Sequence, residues 1–570
     1  MSKRMKETKV NRKWKIIIGV VIAVFLIAII GFIIYIAPNY RKSSLEGKTN
    51  LIINNNNVTE KLKHDIYMDE NNVIFLSFDD IQNYFDKYIE YDQSSKRLIT
   101  TYEDKLAVII AGENTMNVNG KEENLESSVF EKDGELYLPF SEMSKKVYNA
   151  ELEYIPETKK IVVTSDGREV KEVTANKKVN LKYKPTNFSR TLEKIEEYEN
   201  LTYISESENW VKVRVKNGKI GYVKRKEVSN PEIVQEAKKD ETRIDGKVNL
   251  FWDYFSISAD APNRNGEKYE GVNVVAPTFF TLVKDGDGEV RDNVGQAGEE
   301  YIKWAKENGY EIWAVVSNTD ERNMMETTSK IMNDYELREN LIHNIVTLAE
   351  EYDIDGINID FENMKKEDKD LFSRFIIELT PRLKHLGKTV SVDVTAPDGS
   401  DTWSLCFDRN VIGHVADYLI FMAYDQHGNG TDAGTTAGYD WVELNVKKFL
   451  NQEGVNFDKI ILGIPLYTRL WREKDGEVTS RTVSIKDISE VLPDDVTPTW
   501  NEELKQYYVE YENNGQVCKM WLEEENSIRE KIKLANEYKL AGIAFWEKDR
   551  EPEGEEFWRQ VSDELHQENS

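Results

Sequence analysis

From Lys247 onward the chain alternates short apolar runs with amphipathic segments, and this restricts its fold more than any other feature of the 570 residues. The apolar runs are KVNLFW, GVNVVAP, EIWAVV, GINIDF, TVSVDV, DYLIFMAY, KIILGIP and LAGIAFW. Between most of them lie segments with helical spacing, such as GEEYIKWAKENG, LRENLIHNIVTLAEEYDI and EDKDLFSRFIIELTPRLKHLG. Strands that alternate with helices build a parallel sheet covered by those helices. Eight such strands in roughly 320 residues predict an α/β fold, a TIM (β/α)8 barrel, over residues 247–568. The stretch between GIPLYTRLW and LAGIAFW exceeds one βα unit, so a small insertion is expected before the last strand.

The fourth run is unlike the others. In YDIDGINIDFENM, Ile357, Ile359 and Phe361 alternate with Asn358, Asp360 and Glu362. Successive strand residues point to opposite faces, so an amide and two carboxylates share one wall. A strand buried on both faces is normally apolar throughout, and barrel enzymes place their chemistry at the C-terminal strand ends. The polar face therefore predicts a site. Asp360 and Glu362 stand about 6.6–7 Å apart along a strand, close enough to resist joint ionisation and keep one proton on the pair. Asn358, deepest of the three, is expected to hydrogen-bond Asp360.

The N-terminal half reads differently. Residues 1–15 carry seven Lys or Arg and one Glu, and Ile16 to Ala37 contains no charge. A helix needs about 20 apolar residues to span a bilayer. The run is longer than the usual signal-peptide core of about 7–15 residues, and no small-residue cleavage pattern follows it. A transmembrane signal anchor over 16–37 is predicted, with a cytoplasmic basic tail at 1–15 and the remainder outside the cell membrane. The net charge of −28 argues against nucleic acid as a partner.

Within 44–166, NVIFLSFDDIQNYFDKYIEYDQSSKRLITT parallels GELYLPFSEMSKKVYNAELEYIPETKKIVVTS. Each copy reads as a strand, a short helix and a two-stranded hairpin. This small α+β repeat resembles the domain named after the copper amine oxidase N-terminus, in which a spacer and a binder are equally expected. Residues 170–228 read as short strands, with Asn217-Gly218 favouring a type I′ turn. ENWVKV and GKIGYVKRKEV resemble bacterial SH3-like β domains, some of which bind cell-wall peptides. Residues 229–246 read as a linker. Cys406 and Cys518 form no C-x-x-C pair and are expected as free thiols, and the six histidines show no ligand spacing, so neither a metal nor another cofactor is expected.

The motif DGINIDFE resembles the D-G-x-[DN]-x-D-x-E signature of glycoside hydrolase family 18, with Asn358 at the position that admits Asp or Asn. MAYDQH resembles the family's M-x-Y-D, GIPLYTR its P-x-Y-x-R, and GIAFW ends in Trp546, where the family places an aromatic floor. After Trp546 the sequence EKDRE departs from the family's glycine-containing turn. The family is an exception to the two-carboxylate rule because the substrate supplies the nucleophile. The resemblance implies a retaining enzyme in which Glu362 is general acid and base and Asp360 stabilises an oxazolinium ion formed by the sugar's own 2-acetamido group. Tyr424 then orients the acetamide, Asn358 supports Asp360, Asp425 and Tyr467 line the sugar subsite, and Trp546 stacks under the ring. APTFF, Ala276 to Phe280, offers either sugar-stacking aromatics or core packing.

The implied substrate is a polysaccharide containing N-acetylglucosamine. The anchor and the two intervening domains favour the cell wall's peptidoglycan over chitin. The competing reading is a non-catalytic glycan-binding or scaffold protein, but such barrels usually lack the acid that Glu362 supplies.

Overall fold

The computed structural model describes residues 2–40, 42, 44–238, 242–256, 261–319, 321–554 and 556–567. Positions 239–241 of the expected linker and positions 257–260, 320, 555 and 568 of the expected barrel lie outside them. The chain divides into two units: the first 239 residues without 101–106, and the remainder.

The first unit begins with a helix, Ser2–Ile36. Its stretch from Trp14 is long and apolar enough to cross a membrane, and none of it is buried. The repeat follows the expected order twice. Ile74–Ser77 leads into the helix Phe78–Tyr84 and the hairpin Glu90–Asp92 with Arg97–Tyr102. Glu135–Leu138 leads into Phe140–Lys146 and the hairpin Ala150–Ile155 with Lys160–Ser165. The two helices start by different means. Ser77 Oγ accepts the Asp80 N–H at 3.1 Å, while Pro139, with φ −71°, occupies the corresponding position in the second copy.

Residues 170–235 form a seven-stranded sheet over a core that includes Val173, Leu181, Leu201, Val211, Val213 and Val223. Two expectations are corrected here. The Asn217-Gly218 turn is not type I′, because Gly218 has positive φ and Asn217 does not. The Gly218 N–H instead donates to Val215 O, and Asn217 Oδ1 accepts the Lys219 N–H, which suits a turn followed by one left-handed glycine. The expected linker also contributes an exposed edge strand, Glu232–Gln235, that pairs antiparallel with Val170–Thr174.

The second unit contains the closed barrel. Its strands are β1 (Val248–Asp253), β2 (Val274–Pro277), β3 (Glu311–Ser317), β4 (Gly356–Asp360), β5 (Thr389–Val394), β6 (Tyr418–Met422), β7 (Ile460–Pro465) and β8 (Gly542–Trp546). Each pairs in parallel with the next, and β8 closes on β1. The outer ring includes α1 (Gly295–Asn308), α2 (Met325–Asn333), α3 (Tyr335–Glu351), α4 (Lys369–His385), α5 (Arg409–Val415), α6 (Tyr439–Asn451), α7 (Glu525–Glu537) and α8 (Glu556–Leu565). The expected insertion between β7 and β8 is a five-stranded antiparallel sheet spanning Tyr467 to Leu522.

Alternation along each strand separates two cores. Ile357, Ile359 and Phe361 face outward with Phe372 and Phe375 of α4. Val248, Leu250, Trp252, Trp313, Val315, Tyr418 and Ile420 fill the barrel interior. Gly356 is required by this packing, since a Cβ there would lie 2.7 Å from Trp313 Cδ1. Phe279 and Phe280 are fully buried in the outer core, so APTFF packs rather than offering rings to a sugar. Cys406 and Cys518 are buried free thiols.

Candidate active site

The interior is apolar on most strands and polar on two. On β4 the inward residues are Gly356, Asn358 and Asp360, and on β5 they are Thr389, Ser391 and Asp393. The register sets Asn358 opposite Ser391 and Ile359 opposite Val392. Asp360 and Asp393 therefore occupy the next level up, at the barrel mouth.

Asn358 is fully buried and has two partners. Its Oδ1 accepts the Trp252 indole N–H at 2.9 Å, and its Nδ2 donates to Asp393 Oδ1 at 2.8 Å. The expected Asn358–Asp360 hydrogen bond is replaced by this cross-strand one. Two positions along one strand span about 7 Å, whereas the neighbouring strand is only about 4.8 Å away.

β4 ends at Asp360, and Asn363 turns the chain with φ +50°. Glu362, just past the strand end, lies close enough to Asp360 for the Asp360 charge to act on it. Asn318, just after β3, clamps the Glu362 peptide: its Oδ1 accepts the Glu362 N–H at 2.8 Å and its Nδ2 donates to Glu362 O at 3.1 Å. Asp360 Oδ1 is buried and has no hydrogen-bond partner.

Burial pushes the Asp360 carboxyl up to about 6, opposed in part by its neighbour Glu362. Burial, then the charges of Asp360 and Asp425, raise Glu362 well above the usual carboxylate range. Burial and the Asp360 charge do the same to Asp393. Of the two, Asp360 is thus the readier to ionise and Glu362 the readier to keep its proton. Burial and Asp393 push the Tyr424 phenol well up, so it keeps its proton.

Tyr424 and Asp425 follow β6, and Tyr467 follows β7. The Tyr424 and Tyr467 rings meet edge to face at 6.4 Å. Asp425 has φ +55°, and its Oδ1 accepts from Tyr467 Oη at 2.9 Å and from Arg469 Nη2 at 3.2 Å. Trp546 ends β8, lies 5.8 Å from the Trp252 ring and joins Glu547 through a cis peptide bond. The divergent EKDRE segment is well anchored. Lys548 N–H donates to Trp252 O, and Arg264 bridges Asp253 and Asp549 through paired bonds that include two of 2.7 Å to Asp549.

The structure thus brings Asn358, Asp360, Glu362, Tyr424, Asp425, Tyr467 and Trp546 to one end of the barrel. Sequence reasoning missed Asp393, Asn318 and Arg469. The alternation of TVSVDV marks the first, and the R of P-x-Y-x-R marks the last. Away from this site, His64, Asp79 and Glu135 place ligand atoms within 4.8 Å of one another. Lys63 Nζ is 3.9 Å from Asp79, so an ion-pair cluster already accounts for that group.

Residues 247–551 match the glycosyl hydrolases family 18, and residues 52–147 match the copper amine oxidase N-terminal domain. An uncharacterized glycosylase of Bacillus subtilis, YvbX, is 29% identical over 303 residues, covering 51% of this chain and 84% of that protein. The cortical fragment-lytic enzyme of Bacillus anthracis is 25% identical over 240 residues, covering 41% of this chain and only 55% of that enzyme. Among solved structures, the spore cortex-lytic enzyme SleL of Bacillus megaterium shares the fold with a TM-score of 0.50 at 21% identity, covering 59% of this chain and 77% of that one. Since the family match spans more than half of the 570 residues, the chain belongs to glycoside hydrolase family 18 and is a glycosidase.

Proposed function

We propose that this glycosidase is anchored in the cell membrane by its N-terminal helix and cleaves β-linked N-acetylglucosamine-containing glycan of the cell wall outside it. We infer retention of configuration with the substrate's acetamide as nucleophile. The observation that carries this reading is the buried Asp360 at the barrel mouth, whose Oδ1 has no hydrogen-bond partner and is free to accept the acetamide N–H. Two carboxyls that flank a glycosidic bond lie about 5–5.5 Å apart when one is the nucleophile and about 6.5–9.5 Å apart when one activates water. Asp360 and Glu362 lie two residues apart, close enough for the Asp360 charge to act on Glu362, which suits an acid and a charge stabiliser acting on one sugar whose own acetamide supplies the nucleophile.

In this mechanism Glu362 gives its proton to the glycosidic oxygen. The acetamide oxygen attacks the anomeric carbon, and the leaving group departs. The ionised Asp360 accepts the acetamide N–H and stabilises the oxazolinium charge. The Tyr424 O–H donates to the acetamide oxygen. Glu362, now a base, takes a proton from the water that opens the ring. Asp425 and Tyr467 hold sugar hydroxyls, and Trp546 offers an aromatic plane to the apolar sugar face. Asn358 holds the floor of the site between Trp252 and Asp393.

Peptidoglycan is the favoured substrate. The anchor keeps the barrel near the cell's own wall, and the Bacillus anthracis relative is named a cortical fragment-lytic enzyme. The SH3-like reading of residues 170–228 and the repeat domain fit wall contact. Mass analysis of products from the full chain, purified in detergent, tests this on peptidoglycan and on chitin oligomers. Released saccharide from peptidoglycan is expected to dominate. Products from chitin oligomers alone would overturn the wall reading.

A further inference from the structure

We propose that the loop 183–190 of the seven-stranded sheet dips into the membrane beside the anchor, with Phe188 as its apolar tip and the phospholipid headgroup layer as its partner. The proposal rests on the reading of the N-terminal helix as a membrane anchor.

The loop joins the strands Val179–Lys182 and Thr191–Ile195. The Phe188 ring meets the Phe32 ring of the helix edge to face, with centroids 5.6 Å apart. At the base of the loop the Arg190 N–H donates to Asn39 O at 3.2 Å, and Arg190 Nη1 donates to Glu46 Oε2 at 3.2 Å. Lys182 Nζ donates to Ser189 O at 3.1 Å and closes the loop on itself. The loop therefore meets the N-terminal segment at two levels: Asn39, past the end of the charge-free run, and Phe32, inside it.

Helix geometry gives the depth. The 22 residues from Ile16 to Ala37 extend about 33 Å, close to the roughly 30 Å of a hydrocarbon core. Phe32 precedes Ala37 by five positions, about 7–8 Å along the axis. A side chain that touches Phe32 thus reaches below the headgroups, to the depth of about 5–10 Å at which interfacial apolar groups settle.

The composition of the loop suits that place. Phe188 is 49% exposed. The stretch LKYKPTNFSRTL around it carries Lys182, Lys184 and Arg190 and no acidic residue, in a chain whose net charge is −28. The Arg190 guanidinium lies over the Tyr183 ring, 4.8 Å from its centroid. Basic side chains behind an exposed aromatic tip match phosphate headgroups above an acyl boundary. The contact with Phe32 favours lipid over a soluble partner, because it sets the ring within the layer where lipid is the solvent. Helix and loop together then fix how this sheet stands on the membrane.

The test uses the full chain reconstituted in vesicles of phosphatidylcholine and phosphatidylglycerol, with a nitroxide label on Asn187→Cys, which leaves Phe188 in place. Cys406 and Cys518 are buried, so the label goes to the new thiol. The label at 187 is expected to collide more with dissolved oxygen than with a neutral, water-soluble nickel chelate. A label on Tyr198→Cys, 76% exposed and beyond the other end of the strand Thr191–Ile195, is expected to show the reverse. Adding Phe188→Ser to Asn187→Cys should restore collisions with nickel at 187. Labels at 187 and 198 equally open to nickel overturn the proposal, as does a label at 187 whose protection ignores Phe188→Ser. A chain recovered free of the vesicles would instead sink the anchor reading itself, and this proposal with it.

Discussion

The Trp252 indole and the Asn358 carboxamide, from strands on different sides of the barrel, meet in a 2.9 Å hydrogen bond beneath the carboxyls. Both side chains are buried. The bond ties the last inward residue of β1's apolar stack to the floor of the site, so packing and chemistry share one contact.

Trp252→Phe tests that link. The ring volume largely remains, but the buried Asn358 oxygen loses its donor. Leaving such a group unpaired costs about 1–3 kcal/mol. Calorimetry should show a lower Tm for the barrel transition, and kcat should fall more than KM rises. An unchanged Tm would mean that Asn358 finds another donor.

The carboxyls should make the active site a stability liability at alkaline pH. Asp360 is held near 6 in the fold, above the 3.8 of an unhindered aspartate. It therefore supports stability below about pH 4 and loses that support as pH rises through 6. A shift of about two units corresponds to about 3 kcal/mol. Asp360→Asn carries no such penalty, so it should melt above the parent at pH 8 while being nearly inactive. The difference should shrink towards pH 4, and a gap independent of pH would refute the raised carboxyl.

Activity should follow the same group. Asp360 must be ionised to balance the oxazolinium charge, so kcat is expected to fall about tenfold per pH unit below about 6. An acid limb near 4, measured on a soluble chitobioside, would show that Asp360 is not held up by its surroundings.

How much of this was legible in the sequence depended on the range of the interaction. The eight strands follow from local apolar runs, and their order from the alternating helices. Asp360, Glu362, Tyr424, Asp425, Tyr467 and Trp546 come from short motifs at strand ends. Asp393 escaped because Thr389 and Ser391, its companions on one face, are ordinary strand residues that do not flag a polar wall. Asn318 and Arg264 act on residues 44 and 285 positions away, and no local pattern records that. The Asn358 partner was misassigned for the same reason: spacing along one strand says nothing about the strand beside it. The Glu232–Gln235 strand was missed because its side chains are all exposed, so it carries no apolar alternation.

The anchor makes a topological prediction. If Ser2–Ile36 remains attached and spans the membrane, the full-length chain should pellet with membranes and resist extraction by salt or carbonate. Protease added to intact protoplasts should digest the barrel. A soluble product beginning near residue 40 would show that the helix is a cleaved signal.

The substrate's acetamide is the most exposed part of the mechanism. Glu362→Gln removes the proton for the leaving group, and Asp360→Asn removes the charge that balances the oxazolinium. Loss of one well-placed group of this kind commonly costs about 10²–10³ in turnover. Tyr424→Phe should cost less than either, because the phenol orients the acetamide without taking its charge. A thiazoline, which mimics the cyclic intermediate, should bind far more tightly than the product sugar, since the site is complementary to the charged species. A glucoside with a hydroxyl in place of the 2-acetamido group should not be cleaved at a measurable rate. Cleavage of that glucoside, or a covalent bond between Asp360 and the sugar trapped by mass spectrometry, would place the nucleophile on the protein.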